Sequence, residues 1–242
     1  MPGGDSKGRL LVEQEPHTGA WNMAYDEALL EAAANRGETV LRIFQWSQPT
    51  LSLGYFQKTL PPDLPEALRA LPRVRRLSGG GAILHHHEWT YSCAIPKSHP
   101  FAKTAEILYE EVHRALIDAF HRLGVNASLR VSDDGDAAFL CFLRGDPRDI
   151  VVAGRKVVGS AQRRRRGAVL QHGSVLLRHS PLTPSVPGLL DLAPHLPNDP
   201  WLGTRDFAAA LGPRLFDGSP VEAEHPDDAS FARNVEAENV TT

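Results

Sequence analysis

Ile150-Val-Val-Ala-Gly-Arg-Lys-Val-Val-Gly-Ser-Ala-Gln-Arg-Arg-Arg-Arg-Gly-Ala-Val-Leu-Gln-His-Gly-Ser-Val-Leu-Leu177 is the stretch that decides the fold class. It divides into three short runs rich in β-branched residues, 150–152, 156–160 and 168–177, with Gly154-Arg155 as a tight turn. Strands this close along the chain pair antiparallel, because a parallel crossover needs a dozen or more connecting residues.

Outward from it, the pattern adds strands at 9–14, 40–46, 74–77, 82–84 and 89–95, with 50–53 expected as the hairpin partner of 40–46 across Ser47-Gln-Pro49. The strongest helix signal is 102–123, where Ile107, Leu108, Val112, Leu116, Ile117 and Phe120 form one stripe and Gly124 ends it. Asn22 is expected to cap a second helix that stops at Arg36-Gly37, and shorter helices are expected at 66–71 and 205–211. Strands outnumber helices and gather around hairpins, which predicts an α+β domain with mixed, mostly antiparallel sheets and flanking helices.

The 242 residues are 42% hydrophobic and 23% charged, enough for a sizeable core and too apolar for a disordered chain. No apolar run approaches the roughly 20 residues of a membrane span. Two cysteines, Cys93 and Cys141, make no disulfide framework. These features predict a soluble, cytoplasmic protein. The net charge of −3 hides an asymmetry: from Val221 onward six acidic residues face one basic residue, Arg233. The expected division is a folded body at 1–215 and an acidic, flexible tail at 216–242. A body this weakly basic does not suit a nucleic-acid binder, whereas its local clusters at Arg73–Arg76 and Arg163–Arg166 suit an acidic protein or a phosphate.

Ser78-Gly79-Gly80-Gly81 stands between two strand signals, just after Arg75-Arg76. Three glycines admit positive φ and let a ligand approach backbone N–H groups, and a neighbouring guanidinium suits a carboxylate, phosphate or thioester carbonyl. The same glycines also suit a plain hairpin turn. His85-His86-His87-Glu88 looks metal-like, but alternation puts only His85 and His87 on one strand face, two ligands short of a zinc site, so no metal is expected. Lys156 enters an apolar strand and must snorkel or meet an anion, and its charge would favour the thiolate of a nearby cysteine. Cys141 borders a polar, turn-forming stretch. From composition alone it reads as a small core residue more readily than as a nucleophile, and Cys93, in the apolar Tyr91-Ser-Cys-Ala-Ile95, reads as core.

Asn22-Met-Ala-Tyr-Asp-Glu-Ala-Leu-Leu30, Pro49-Thr-Leu-Ser-Leu-Gly-Tyr-Phe-Gln57, Arg75-Arg-Leu-Ser-Gly-Gly-Gly-Ala-Ile-Leu-His85, Gly154-Arg-Lys-Val-Val-Gly-Ser-Ala-Gln-Arg163 and His172-Gly-Ser174, in that order, resemble the lipoate–protein ligase / octanoyltransferase family. The resemblance covers roughly residues 10–180 and implies the catalytic fold shared with biotin–protein ligases, here over 1–215. It implies a tunnel for an eight-carbon acyl chain, lined by Arg76, Ser78, Gly79, Gly80, Gly81, His85, Gly159, Ser160, His172 and Gly173. Lys156 would contact the acyl carbonyl. Cys141, fifteen positions before Lys156, resembles the nucleophile of octanoyltransferases whose cysteine precedes the Gly-x-Lys-x-x-Gly-Ser segment, which reverses the compositional reading.

The implied reaction moves an octanoyl or lipoyl group from acyl carrier protein, through a thioester on Cys141, to a lysine of a lipoyl domain or the glycine-cleavage H protein. It needs no cofactor and is expected of a monomer. The runner-up is a lipoate–protein ligase using ATP and Mg, and a further alternative is a non-catalytic acyl-binding protein. Arg163–Arg166 are expected to face the acidic carrier, or adenylate phosphates in the ligase. His85 is the candidate for deprotonating the acceptor lysine. Trp89, where the family has a smaller residue, is expected to narrow the tunnel.

Overall fold

The computed structural model describes residues 8–131, 138–216 and 222–224. Its elements begin with β1 (Gly8–Val12), α1 (Gly19–Arg36), β2 (Thr39–Phe44), β3 (Thr50–Leu53), α2 (Glu66–Arg69), β4 (Arg73–Arg75), β5 (Ile83–His85) and β6 (Glu88–Ile95). They continue through α3 (Ala105–Arg122), β7 (Ala127–Leu129), β8 (Ile150–Val152), β9 (Arg155–Arg165) and β10 (Ala168–Leu176) to α4 (Leu189–Leu192), α5 (Thr204–Leu215) and β11 (Glu222–Glu224). The main sheet has the order β11-β1-β2-β6-β10-β9-β8-β7, and a second sheet has the order β4-β3-β5. β11, β1 and β2 are parallel, and every later pair in the main sheet is antiparallel. The α+β expectation holds.

Alternation along β6 sorts the main sheet into two faces. Trp89, Tyr91, Cys93 and Ile95 point into the larger core, with Val112, Leu116 and Phe120 of α3 and Phe207 and Leu211 of α5. Ala94 points the other way, to Tyr25, Leu29 and Leu30 of α1. In the β9–β10 hairpin, Ser160 lies opposite Gly173, and Gly159 opposite Ser174. The small sheet stacks Leu51, Leu53 and Ala82 against Phe139 and Leu140, the residues that lead to Cys141.

Three expectations change. Thr50–Leu53 is not the hairpin partner of the preceding strand: both edges of β2 are taken by β1 and β6, so β3 pairs with β4 and β5 in the second sheet. The glycine run is therefore not a hairpin turn, because β4 and β5 lie on opposite sides of β3 and the run crosses between them. Asn22 does not cap α1; Thr18 does, its hydroxyl accepting from Trp21 N at 3.3 Å. Asn22 is drawn inward, where Oδ1 accepts from Arg42 at 2.8 Å and Nδ2 donates to Gln45 O at 3.3 Å. Gly37, at φ 73°, stops α1 as the sequence indicates. The expected tail lies outside the described residues, apart from Phe216, which is buried in the larger core, and Glu222–Glu224, which pair with β1. Among the described residues no helix is long and apolar enough to cross a membrane.

Candidate active site

Cys141 opens a single 3₁₀ turn, Cys141–Leu143, tied to the end of the glycine crossover by Cys141 N donating to Ala82 O at 2.7 Å. Lys156 comes to it from the start of β9, where the register of β8 against β9 shifts. Its side chain is almost fully buried, and Nζ donates to Asp149 Oδ1 at 2.8 Å and to Cys141 O at 3.1 Å. The thiol lies at 3.6 Å from the same nitrogen. The expected anion for Lys156 is thus Asp149, a residue the sequence reading passed over. Burial pushes the Asp149 carboxyl up, while Lys156 pulls it down.

Two cavities meet at Cys141. The inner, narrower one is lined by Trp46, Arg76, His85, Gly159, His172 and Gly173 among others. The outer, wider one is lined by Tyr109, His113, Arg144, Asp146, Asp149 and Lys156 among others. Cys141, Gly79, Gly80, Ser160 and Ala161 border both. Gly81 borders the outer cavity alone, and Ser78 borders neither.

The crossover is held from beneath. Arg76 donates to Gly79 O at 2.8 Å and Gly81 O at 2.6 Å, and through its other nitrogen to Ser52 O at 3.0 Å. Its guanidinium therefore braces the loop while also lining the inner cavity. Gly80 has φ 95°, and a Cβ on Gly54 would lie 2.1 Å from Gly80 O, so both positions require glycine. Ser78 pairs with His172 Nε2 at 2.5 Å, and His172 Nδ1 with Asp26 at 3.0 Å. With its hydroxyl outside both cavities, Ser78 anchors the loop and is not placed to attack a substrate.

His85 sits in the inner cavity, stacked on Trp46 at 3.7 Å between ring centroids. Its Nδ1 pairs with Glu88 at 2.7 Å, while Nε2 is buried without a partner. Burial pulls the ring below the usual histidine range, with Glu88 opposing. His86 and His87 leave the strand, since His87 has φ 53° and the two rings stack at 3.6 Å. Among the described residues no group of three or more His, Cys, Asp and Glu is arranged to hold a metal.

Residues 18–182 match the model of the lipoyl protein ligase A/B catalytic domain. The chain belongs to that family. Octanoyltransferase LipM of Carboxydothermus hydrogenoformans is 40% identical over 173 residues, covering 69% of this chain and 64% of that protein. Octanoyltransferase LipM of Geobacillus kaustophilus is 38% identical over 170 residues, covering 65% of this chain and 61% of that protein. The chain thus spans less than two thirds of the length of these curated relatives. In fold it resembles a bi-partite lipoate protein ligase from Thermoplasma acidophilum, with a TM-score of 0.71, 19% identity and 98% and 94% of the two chains covered. It also resembles lipoate-protein ligase A bound with ATP, with a TM-score of 0.67, 20% identity and 98% and 96% covered.

Within this lipoyl protein ligase A/B domain, two expectations about surface and tunnel are corrected. Arg163–Arg166 form no single patch, because β9 sends alternate side chains to opposite faces. Arg164 donates to Ala102 O at 2.8 Å, Arg165 pairs with Glu27 at 3.0 Å and with Glu31, and Arg166 donates to Asn35 at 2.8 Å. Arg163 lies over the Tyr55 ring at 5.0 Å. Trp89 does not narrow the cavity: it faces the larger core, its Nε1 donating to Leu202 O at 3.0 Å, and its neighbour Thr90 lines the cavity instead. Cys93 is wholly buried and its thiol is pushed up by burial, as a core residue requires.

Proposed function

We propose that the chain transfers an octanoyl or lipoyl group from acyl carrier protein to a lysine of a lipoyl domain or the glycine-cleavage H protein, by way of a thioester on Cys141. One observation carries the reading: a buried ammonium, fixed by Asp149, lies 3.6 Å from a thiol at the junction of a narrow cavity and a wide one. The relatives named octanoyltransferase support it. The acyl chain occupies the inner cavity, and the carrier's arm, then the acceptor lysine, enters by the outer one.

Cys141 attacks the donor thioester as the thiolate beside Lys156. A C–S bond to Cys141 forms, the bond to the carrier's sulfur breaks, and that sulfur leaves as a thiolate, which takes up the proton that Cys141 gave to solvent. Lys156 and the N–H groups of Gly79–Gly81 stabilise the charge on the carbonyl oxygen in between. The acceptor amine then forms the amide and expels Cys141.

The mouth suits an acidic carrier. Phe56 is 79% exposed beside Gly79, and Tyr55 and Leu143 are exposed too. Arg75 is tied to the backbone of residues 54–57, and Arg163 covers Tyr55. An apolar centre with the guanidinium groups of Arg75 and Arg163 beside it fits a small acidic protein that presents a flexible arm.

A ligase reading needs the outer cavity to bind ATP and Mg. Its Arg148 is engaged twice with Asp146, at 2.8 Å each, and the relatives named octanoyltransferase favour the transferase. The test is incubation with octanoyl-acyl carrier protein without ATP, followed by intact-mass measurement. The expected result is a gain of one octanoyl group, absent in Cys141→Ser. Acceptor modification that requires ATP and free acid would establish the ligase.

A further inference from the structure

α3 carries a histidine where its apolar stripe should continue. His113 lies between Val112 and the buried Ala115-Leu116 pair, 2% exposed, and turns toward β9 and the outer cavity. Its Nε2 is 2.7 Å from Ser160 Oγ, and Ser160 borders both cavities beside Cys141. Ser160 Oγ also meets Tyr91 OH at 2.7 Å. Gln171 donates to that phenol at 3.1 Å, and Gln162 donates to Gln171 at 2.8 Å.

The chain of bonds has a direction. Gln162 and Gln171 each supply an amide proton, so the Tyr91 oxygen accepts from Gln171 and gives its own proton to Ser160. In the tautomer of the neutral His113 ring that carries its proton on Nδ1, Nε2 is the acceptor. Ser160 therefore donates to His113 and offers its remaining lone pair to the outer cavity. Burial, the largest influence, pulls His113 down to about 4, so the ring is neutral at the start.

Resting on the acyl-enzyme reading above, we propose that His113, acting through Ser160, takes the proton that the acceptor amine gives up when it attacks the Cys141 thioester. The neutral amine binds with an N–H toward Ser160 Oγ. As the C–N bond forms, that proton passes to Ser160, and the serine's own proton passes to His113 Nε2. The C–S bond breaks and Cys141 leaves as the thiolate beside Lys156. His113 then releases its proton to water in the outer cavity. His113 is a positioning and relay residue, since Ser160 stands between it and the amine. No such step is needed when Cys141 takes the acyl group.

Single-turnover measurement of the two half-reactions tests this, with octanoyl-acyl carrier protein as donor and an H protein as acceptor. In His113→Gln, acylation of Cys141 should stay within about twofold, while discharge to the acceptor lysine falls at least about tenfold. Discharge to hydroxylamine, whose far less basic nitrogen gives up its proton to water readily once the C–N bond forms, should fall much less than lysine discharge. The pH dependence of lysine discharge should move to higher pH in the variant. Tyr109 of α3, Asp146, Arg148 and Asp149 of the 144–149 segment and Lys156 of β9 face the ring or its cavity and remain in both proteins. In Ser160→Ala, which leaves the helix intact, lysine discharge should fall further than acylation does. Equal loss in all three reactions, or no loss in lysine discharge, overturns the relay while the acyl-enzyme stands. Failure of the unaltered protein to form an acyl-enzyme overturns both readings.

Discussion

Two buried cations on the main sheet are held by carboxylates, and they differ in what is left over. Arg42 of β2 donates to both Glu13 oxygens, at 2.8 and 2.7 Å, and to Asn22 at 2.8 Å, and its guanidinium lies 3.8 Å over the Phe44 ring. Asp26 stands at 3.4 Å from it, with Ser92 and His172 as further partners. Lys156 has one carboxylate, one carbonyl and, as its third neighbour, a thiol at 3.6 Å. An ammonium has three donors to place, and the last is aimed at a weak acceptor. A cation whose donors are all matched fixes structure. One whose last donor faces a group of variable charge is placed for chemistry.

The comparison predicts opposite consequences for removing each cation. Arg42→Met leaves Glu13 buried without its guanidinium partner, and stability should fall by roughly 3–5 kcal/mol, measured by urea denaturation. Activity per folded molecule should change little, and a selective loss of activity would break the contrast. Lys156→Met should instead slow formation of the Cys141 acyl-enzyme on the order of 100- to 1000-fold, as for loss of an oxyanion donor, in a quench experiment read by mass. Its unfolding midpoint should move less than that of Arg42→Met. Asp149, already pushed up by burial, can take a proton when Lys156 is gone.

Acid should act through the histidines. An unfolded histidine titrates near 6.5, while His113 in the fold titrates at about 4. Protons therefore favour the unfolded chain below about pH 6.5, and stability should fall by about 3 kcal/mol as pH drops from 6.5 toward 4. His113→Gln should remove that share of the acid sensitivity and leave the part due to His85, which shifts in the same direction. The smallest effect should come from Ser78→Ala. It cuts the chain that runs from Asp26 through His172 to the loop, costing about 1 kcal/mol and slowing acylation less than tenfold.

The sequence showed the antiparallel run β8–β9–β10 and the long helices well, because alternation and the α3 stripe are local signals. It misplaced β3, because a four-residue strand carries no record of which edge is free. It placed Asn22 at a cap by local preference, whereas the buried Arg42 claims its side chain. In the site, Cys141, Lys156 and the glycine run were legible as motifs. Asp149 was hidden in a turn-like Asp-Pro-Arg-Asp stretch. His113 was hidden in a helix stripe, where one polar residue among apolar ones gives no sign of a partner 47 positions away. Four consecutive arginines looked like one patch until strand alternation divided them.

The β9–β10 register also limits how this chain can change in length. Residues 166 and 167, with φ 51° and 87°, make the turn that sets Ser160 against Gly173 and Gly159 against Ser174. A one-residue slip would send every side chain of one strand to the other face. Lys156 would leave Asp149, Ser160 would leave His113, and a serine or histidine would fill space that glycine keeps open. A single insertion or deletion in that exposed turn, far from Cys141, is thus as harmful to the site as a substitution within it, and loops elsewhere are the places where length can vary.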